Sequence, residues 1–203
     1  MNKTFKMLRS LLKADRSVRR FQRSVKISAK ELAEIVELVR YCPSGRNLQA
    51  LRYRIVTQEE ECNQIYPALK WAGYFPDWNG PAPFERPVAY LVQCLDTRLT
   101  KDCLCDDGLQ LETITLGATA QGYGCCIIKS FNMEMVRKAL HLEDRMKPLY
   151  IIALGRPAET IELEDTDGTS EADIKYYRTP DGVHHVPKRP LAELLINKPD
   201  SIN

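Results

Sequence analysis

The sequence predicts a single domain that mixes helices and strands, of the α/β or α+β class, and three observations carry that reading. Apolar residues recur at helical spacing from Lys3 to Ala14 and again after Ser28. Interspersed with such segments are short apolar runs of strand length: Leu51 to Val56, Pro87 to Leu95 and Leu149 to Leu154. The chain of 203 residues suits one sizeable core and is short for two, and it carries no internal repeat and no domain-length linker, so residues 1–203 read as one unit.

The elements follow in order. Phe5, Leu8, Leu11 and Leu12 make residues 1–13 a short amphipathic N-terminal helix. Ser28-Ala29-Lys30-Glu31 is a capping box, with Ile27 and Leu32 placed as a hydrophobic staple. The helix it opens carries Leu32, Ile35, Val36 and Val39 on one face and stops before Pro43. A strand follows at Leu51 to Val56, then a helix at Gln58 to Lys70. Trp71 to Phe84 is rich in aromatics among Pro76, Gly80, Pro81 and Pro83. It reads either as a loop folded on its own side chains or as a lid packing Trp71, Tyr74 and Phe75 around a planar substrate.

Pro87 to Leu95 is suited to a central strand, and Asp106 to Gln121 to a long helix. The small residues Gly117, Ala118 and Ala120 would admit another helix or a flat ligand. Cys125 to Ile128 reads as a strand, Met133 to Leu140 as a helix capped by Asn132, and Leu149 to Leu154 as another buried strand. Residues 159–173 read as a mobile, solvated acidic loop. Pro180-Asp181-Gly182 signals a hairpin between Ile174–Tyr177 and Val183–Val186. Leu191 to Ile196 reads as a short helix, and residues 197–203 as a tail.

Composition removes several function classes. Apolar residues are 44% and charged residues 28%, the balance of an ordinary soluble protein. The 29 basic and 27 acidic residues leave a net charge of +2, which gives no global field for nucleic acid or membrane. The basic stretch Lys3 to Arg23 lacks the aromatic interleaving of a nucleic-acid arm. Lys3, Lys6 and Arg9 interrupt the first residues, so no signal-peptide core is expected, and no apolar run approaches a membrane span. An odd count of 7 cysteines in a chain this size fits a reduced, cytoplasmic setting.

Two stretches carry the chemistry. Arg16-Ser17-Val18-Arg19-Arg20-Phe21 offers planar guanidinium forks that match phosphate oxygens two at a time, with Ser17 as a short donor between them. Each such charge-assisted bond is worth roughly 1.5–3 kcal/mol. Val18 and Phe21 read as anchors into a core, while a solvated basic turn is the competing reading. Pro43-Ser44-Gly45-Arg46-Asn47-Leu48-Gln49 lies between an amphipathic helix and a strand.

The order Arg-Ser-x-Arg-x-Phe, helix, Pro-Ser-x-x-Asn-x-Gln, strand resembles the start of the nitroreductase family of FMN-dependent oxidoreductases. The resemblance runs from Arg16 to Leu191 in the family's order, and its strength lies in joint occurrence, since no one motif is specific. It implies a three-layer α+β fold with a mostly antiparallel sheet between helices, in an intertwined homodimer holding FMN at its interface. It implies that Arg16, Ser17 and Arg19 hold the phosphate and ribityl end, completed by Lys188 or Arg189. Asn47 would meet the flavin edge, Pro43, Ser44 and Gly45 would approach the ring through backbone, commonly from the partner subunit, and Gln49 closes the same cofactor-binding motif. Gly122, Tyr123, Gly124 and Cys125 match the family's Gly-x-Gly segment near the ring. Arg46 departs from a position often small in the family; it either adds charge near the flavin or points to solvent.

By the same resemblance, NADH or NADPH would deliver hydride to the flavin, and a planar acceptor would take it in a ping-pong cycle that needs no catalytic side chain. Other groups read as structural. Cys103-x-Cys105 lacks a second pair or a nearby histidine for zinc. Cys125 and Cys126 read as buried thiols, His184 and His185 as facing opposite ways on a strand, and Asp106 and Asp107 as favouring a helix dipole. The competing function class is a flavin or nucleotide carrier without turnover.

Overall fold

The computed structural model describes residues 2–168 and 170–196, so Thr169 and the tail 197–203 lie outside the described residues. The elements in order are α1 (Lys3–Ala14), β1 (Phe21–Gln22), α2 (Ala29–Glu37), β2 (Leu51–Val56), α3 (Glu59–Ile65), β3 (Ala89–Asp96), α4 (Asp106–Ala120), β4 (Gly124–Ile128), α5 (Met133–Ala139), β5 (Met146–Pro157), β6 (Ile161–Asp165), β7 (Tyr177–Arg178), β8 (His184–Lys188) and α6 (Leu191–Leu194).

β5 is the axis of the main sheet. β3 runs antiparallel along one edge of it, with Leu91 opposite Ile152, and β2 continues beyond β3. β4 and then β1 pair with the other edge, also antiparallel, Cys126 facing Ala153 and Phe21 facing Pro157. Side chains alternate across a strand, so a sheet covered on both faces needs apolar residues in unbroken runs. β5 meets that need. Ile151 and Ala153 join Tyr90, Val92 and Ile128 under α3 and α5, which contribute Cys62, Ile65 and Val136. Ile152 and Leu154 join Leu91 on the opposite face under α2 and α4, which contribute Leu32, Ile35, Leu111 and Ile114. The class is therefore α+β, in three layers, and the α/β alternative is excluded by the antiparallel pairing.

Several elements form as the sequence dictates. Ser28 Oγ accepts from Glu31 N at 3.2 Å, while the Glu31 carboxylate accepts from Ser28 N at 2.9 Å, closing the capping box, and Ile27 and Leu32 are both buried beside it. Glu31 also accepts from Tyr123 OH at 2.6 Å, and with the Ser28 and Tyr123 hydroxyls donating to it its carboxyl falls to about 2 from an ordinary 4.5. A methyl on Gly117 would lie 2.5 Å from Leu38 Cδ1, so that small residue admits the turn following α2 rather than a ligand.

Three expectations need correcting. The helix after β2 ends at Ile65, because Pro67 closes it in a tight turn that leads Leu69 into a bridge with Phe131. The acidic stretch 159–173 is not a solvated loop throughout: β6 lies inside it and pairs in parallel with β8, Ile161 opposite His184. The hairpin arm is shorter and later than its signal, with Tyr177 opposite His185. Asp106 and Asp107 lie in the first turn of α4 as expected, and the buried Asp106 carboxylate also accepts from Ser44 and Gly45. Among the described residues no helix is long and apolar enough to cross a membrane.

Candidate active site

The arginine stretch is fixed to the sheet by its own backbone and by the residues between the cations. Val18 N donates to Cys125 O at 2.8 Å, and Ser17 bridges Cys125 in parallel, continuing the sheet edge beyond β4. Val18 and Phe21 are buried. Gly124 makes room for the first, since a methyl there would sit 2.6 Å from Val18 Cγ2. Opposite them, the side chain of Glu159 is only 1% exposed. Its Oε1 accepts from the backbone N–H groups of Arg19 and Arg20, and its Oε2 accepts from Arg178 at 3.0 Å. One buried carboxylate thus ties the arginine loop to the second sheet.

Arg16, Ser17, Arg19 and Lys188 line one cavity of about 330 Å³, together with Cys125, Tyr176 and His184. Two acidic residues, Asp15 and Glu112, line it as well. Asp15 is engaged already, accepting from Thr115 Oγ1 at 2.6 Å. Arg16 is braced by a bond to Leu12 O at 2.9 Å, and Arg19 by one to Ser17 O at 3.1 Å. The Nε atoms of both arginines are buried with no hydrogen-bond partner among the described residues. Arg19 also lies 5.1 Å from the centre of the Tyr176 ring and 3.3 Å, through its NH1, from His184 Nε2. Burial first, then the charges of Arg19 and Arg178, hold the His184 imidazole down at about 4 against an ordinary 6.5, so it is neutral at physiological pH and its Nε2 can accept from Arg19. Burial pushes the Cys125 thiol well up, so it is no nucleophile.

The second stretch is built differently. Gly45–Asn47 forms one tight turn, and Arg46, Asn47 and Gln49 take left-handed backbone angles, with φ of 52°, 55° and 47°. Ser44, Asn47 and Gln49 line a separate cavity of about 620 Å³ between α2, β2 and α4. Gln49 Nε2 donates to Asn47 Oδ1 at 3.1 Å, which leaves the Asn47 amide nitrogen as a donor. Within one chain, the arginine stretch and this loop therefore do not share a cavity.

The remaining candidates fall elsewhere. Gly122 and Gly124 lie on either side of Tyr123, whose ring packs into the core against α2. Arg189 turns away from the cavity and reaches Gly168 O at 3.4 Å, so of the basic pair it is Lys188 that faces the cavity. Trp71 is buried against Tyr66 and Trp78, and Phe75 packs on Tyr176 and His184, so the aromatic segment is folded on its own side chains and backs the cavity wall. Tyr74 stacks obliquely on Tyr176 at 4.8 Å. Arg46 is exposed, as are Pro43 and Asn47. Sequence reasoning did not single out Tyr176, His184 or Glu159 as site neighbours. The only signals were an aromatic and a histidine on either side of the Pro180-Asp181-Gly182 turn, and a lone Glu among many.

Comparison with known proteins bears on this geometry. The nitroreductase family model matches residues 12–86 and 105–156. YdgI of Bacillus subtilis (strain 168), provisionally named an NAD(P)H nitroreductase, is 25% identical over 183 residues, spanning 73% of this chain and 88% of that protein. The fold is similar to that of a nitroreductase family protein from Clostridium novyi NT, with TM-score 0.62 and 22% identity over 73% of this chain and 84% of that one. It is similar too to a provisionally named nitroreductase from Exiguobacterium sibiricum 255-15 solved in complex with FMN, with TM-score 0.62 and 21% identity over 74% and 88% of the two chains.

Proposed function

This chain belongs to the nitroreductase family, and from that premise we propose that it is an FMN-dependent oxidoreductase of small planar acceptors, nitroaromatics or quinones, using NADH or NADPH. The observation that carries the reading is the convergence of Arg16, Ser17, Arg19 and Lys188 on one cavity. The donor set fits a phosphate monoester: two planar forks with unpartnered buried Nε atoms, a hydroxyl and an ammonium. When bound, FMN supplies the redox chemistry, accepting a hydride and passing it on in a ping-pong cycle.

The protein's part is position and charge. Arg16, Arg19 and Lys188 neutralise the phosphate, and Ser17 donates to it. His184, neutral, holds the Arg19 head against the Tyr176 wall. Pro43, Ser44, Gly45 and Gln49 carry Asn47, whose amide donor suits the edge of a heteroaromatic ring. Gly122, Tyr123 and Gly124 lead the main chain to Cys125 at the cavity wall. Two cavities in one chain become one composite site if a second copy supplies the Ser44–Gln49 loop, which supports a homodimer. The exposed apolar residues Phe5, Met7 and Leu8 on α1, a helix with no buried residue, support the same arrangement. The free thiols among the described residues support a reduced, cytoplasmic setting.

Titration of flavin-free protein with FMN and with riboflavin tests the reading. FMN should bind at least tenfold more tightly, the phosphate adding at least the ~1.4 kcal/mol of one charge-assisted contact. Equal affinities would remove the phosphate assignment.

A further inference from the structure

Asp106 holds the second loop yet belongs to neither cavity, and with Asp96 it is one of two acidic residues buried among the described residues, 5% of it exposed. Its Oδ2 accepts from Ser44 Oγ at 2.7 Å, and its Oδ1 accepts from Gly45 N at 2.9 Å. Ser44 Oγ in turn accepts from Gln49 N at 2.9 Å, so the carboxylate and one hydroxyl span the loop from end to end. Inside that span lie the left-handed residues Arg46, Asn47 and Gln49. Such backbone is disfavoured for residues with a side chain and persists only where its surroundings hold it. The loop is also seated from above: a methyl on Gly45 would lie 2.6 Å from Leu104 Cδ1.

Asp106 itself is fixed from the sheet side. Gln93, fully buried at the irregularity in β3, donates to Asp107 O at 3.3 Å and holds the first turn of α4. A rigid strand therefore positions a helix end, the helix end positions a carboxylate, and the carboxylate positions a strained loop whose side chains at Arg46 and Asn47 stand exposed.

We infer that Asp106 is the positioning residue of the Ser44–Gln49 loop, clamping it in the conformation that presents Asn47 to the edge of a planar heteroaromatic ring. The inference rests on the flavin reading for the identity of that ring. The loop is held before any ligand arrives, so the ligand does not have to organise it. Losing the clamp lowers the fraction of molecules that are competent to bind the ring, without touching the cations that hold a phosphate.

The test uses the full chain with Asp106→Ala, Ser44→Ala and, as reference, Arg19→Ala, each checked for its fold by circular dichroism. Amide hydrogen exchange gives the first readout. In Asp106→Ala the Gly45 and Gln49 amides should exchange faster while those of β5 keep their protection. Flavin titration gives the second. Asp106→Ala should weaken FMN and riboflavin by the same factor, roughly tenfold, leaving their ratio unchanged, whereas Arg19→Ala should weaken FMN alone. Ser44→Ala should follow Asp106→Ala with a smaller change, and it carries the test if the alanine variant at 106 does not fold. Unchanged exchange at Gly45 and Gln49, or unchanged flavin affinity in a wild type that binds flavin, would overturn the clamp alone. A wild type that binds neither flavin would overturn the flavin reading and the clamp's role with it.

Discussion

Glu159 is where the account of the site is most exposed to measurement. Glu159→Ala would strip the acceptor from the half-buried N–H groups of Arg19 and Arg20 and the counter-charge from Arg178, whose side chain is 15% exposed. Breaking a buried ion pair by removing one partner costs about 3–5 kcal/mol. The orphaned amides add to this, at about 1–3 kcal/mol each where water cannot reach them. The contributions share one carboxylate and do not sum, so a loss of about 4 kcal/mol is expected. For a domain of this size that lowers Tm by roughly 10 °C. Glu159→Gln keeps an oxygen for the two amides but turns a neutral amide toward Arg178, and should lose about half as much. The assay is thermal unfolding followed by circular dichroism, at one fixed protein concentration because dimerisation would couple to it. If both variants melt within about 1 °C of wild type, Glu159 does not hold the arginine loop and the reasoning fails.

Other consequences can be checked alongside. Ile152→Ala, at a fully buried position on β5, should lose about 3–4 kcal/mol in denaturant unfolding; a loss below about 1 kcal/mol would mean that face of the sheet is not close-packed. His184 binds its proton less tightly folded, at about 4, than at its ordinary 6.5, so the unfolded chain holds more protons in between and stability should fall as pH drops through that window. Thermal unfolding across that pH range should show the slope in wild type and lose it in His184→Gln; an equal slope in both would contradict the buried neutral imidazole. Mixing Arg19→Ala with Asn47→Ala chains, each deficient in FMN binding, should restore about a quarter of the sites through mixed dimers. No recovery would place both residues in the same subunit's site.

The layered fold was legible because its signals were local and redundant. Ser28 to Glu31 states a helix start twice over, in its cap and in its staple, and the apolar runs at 87–95 and 149–154 announce strands buried on both faces, which the structure places at Ala89–Asp96 and Met146–Pro157. Where the reading failed, tertiary pairing decided. Ile161–Asp165 alternates acids with apolar residues like a solvated segment, and becomes a strand only because β8 arrives beside it. The cation half of the candidate site was legible because arginines this close in sequence must also be close in space. Glu159 and Asp106 were not, since what marks each is burial against donors distant in the chain, 140 and 62 residues away. Trp71 and Phe75 were misleading for a related reason. Aromatic density signals packing, but not whether the partner is a ligand or, as here, Tyr66, Trp78 and Tyr176.

The most direct test of the central claim is the visible absorption spectrum of the purified protein, taken before and after anaerobic addition of NADH or NADPH. The bands of oxidised flavin are expected, bleaching with one or both nicotinamides. Flavin that stays oxidised with both would contradict the proposed electron donor and favour a carrier. A colourless protein that takes up no FMN on reconstitution would contradict the site itself.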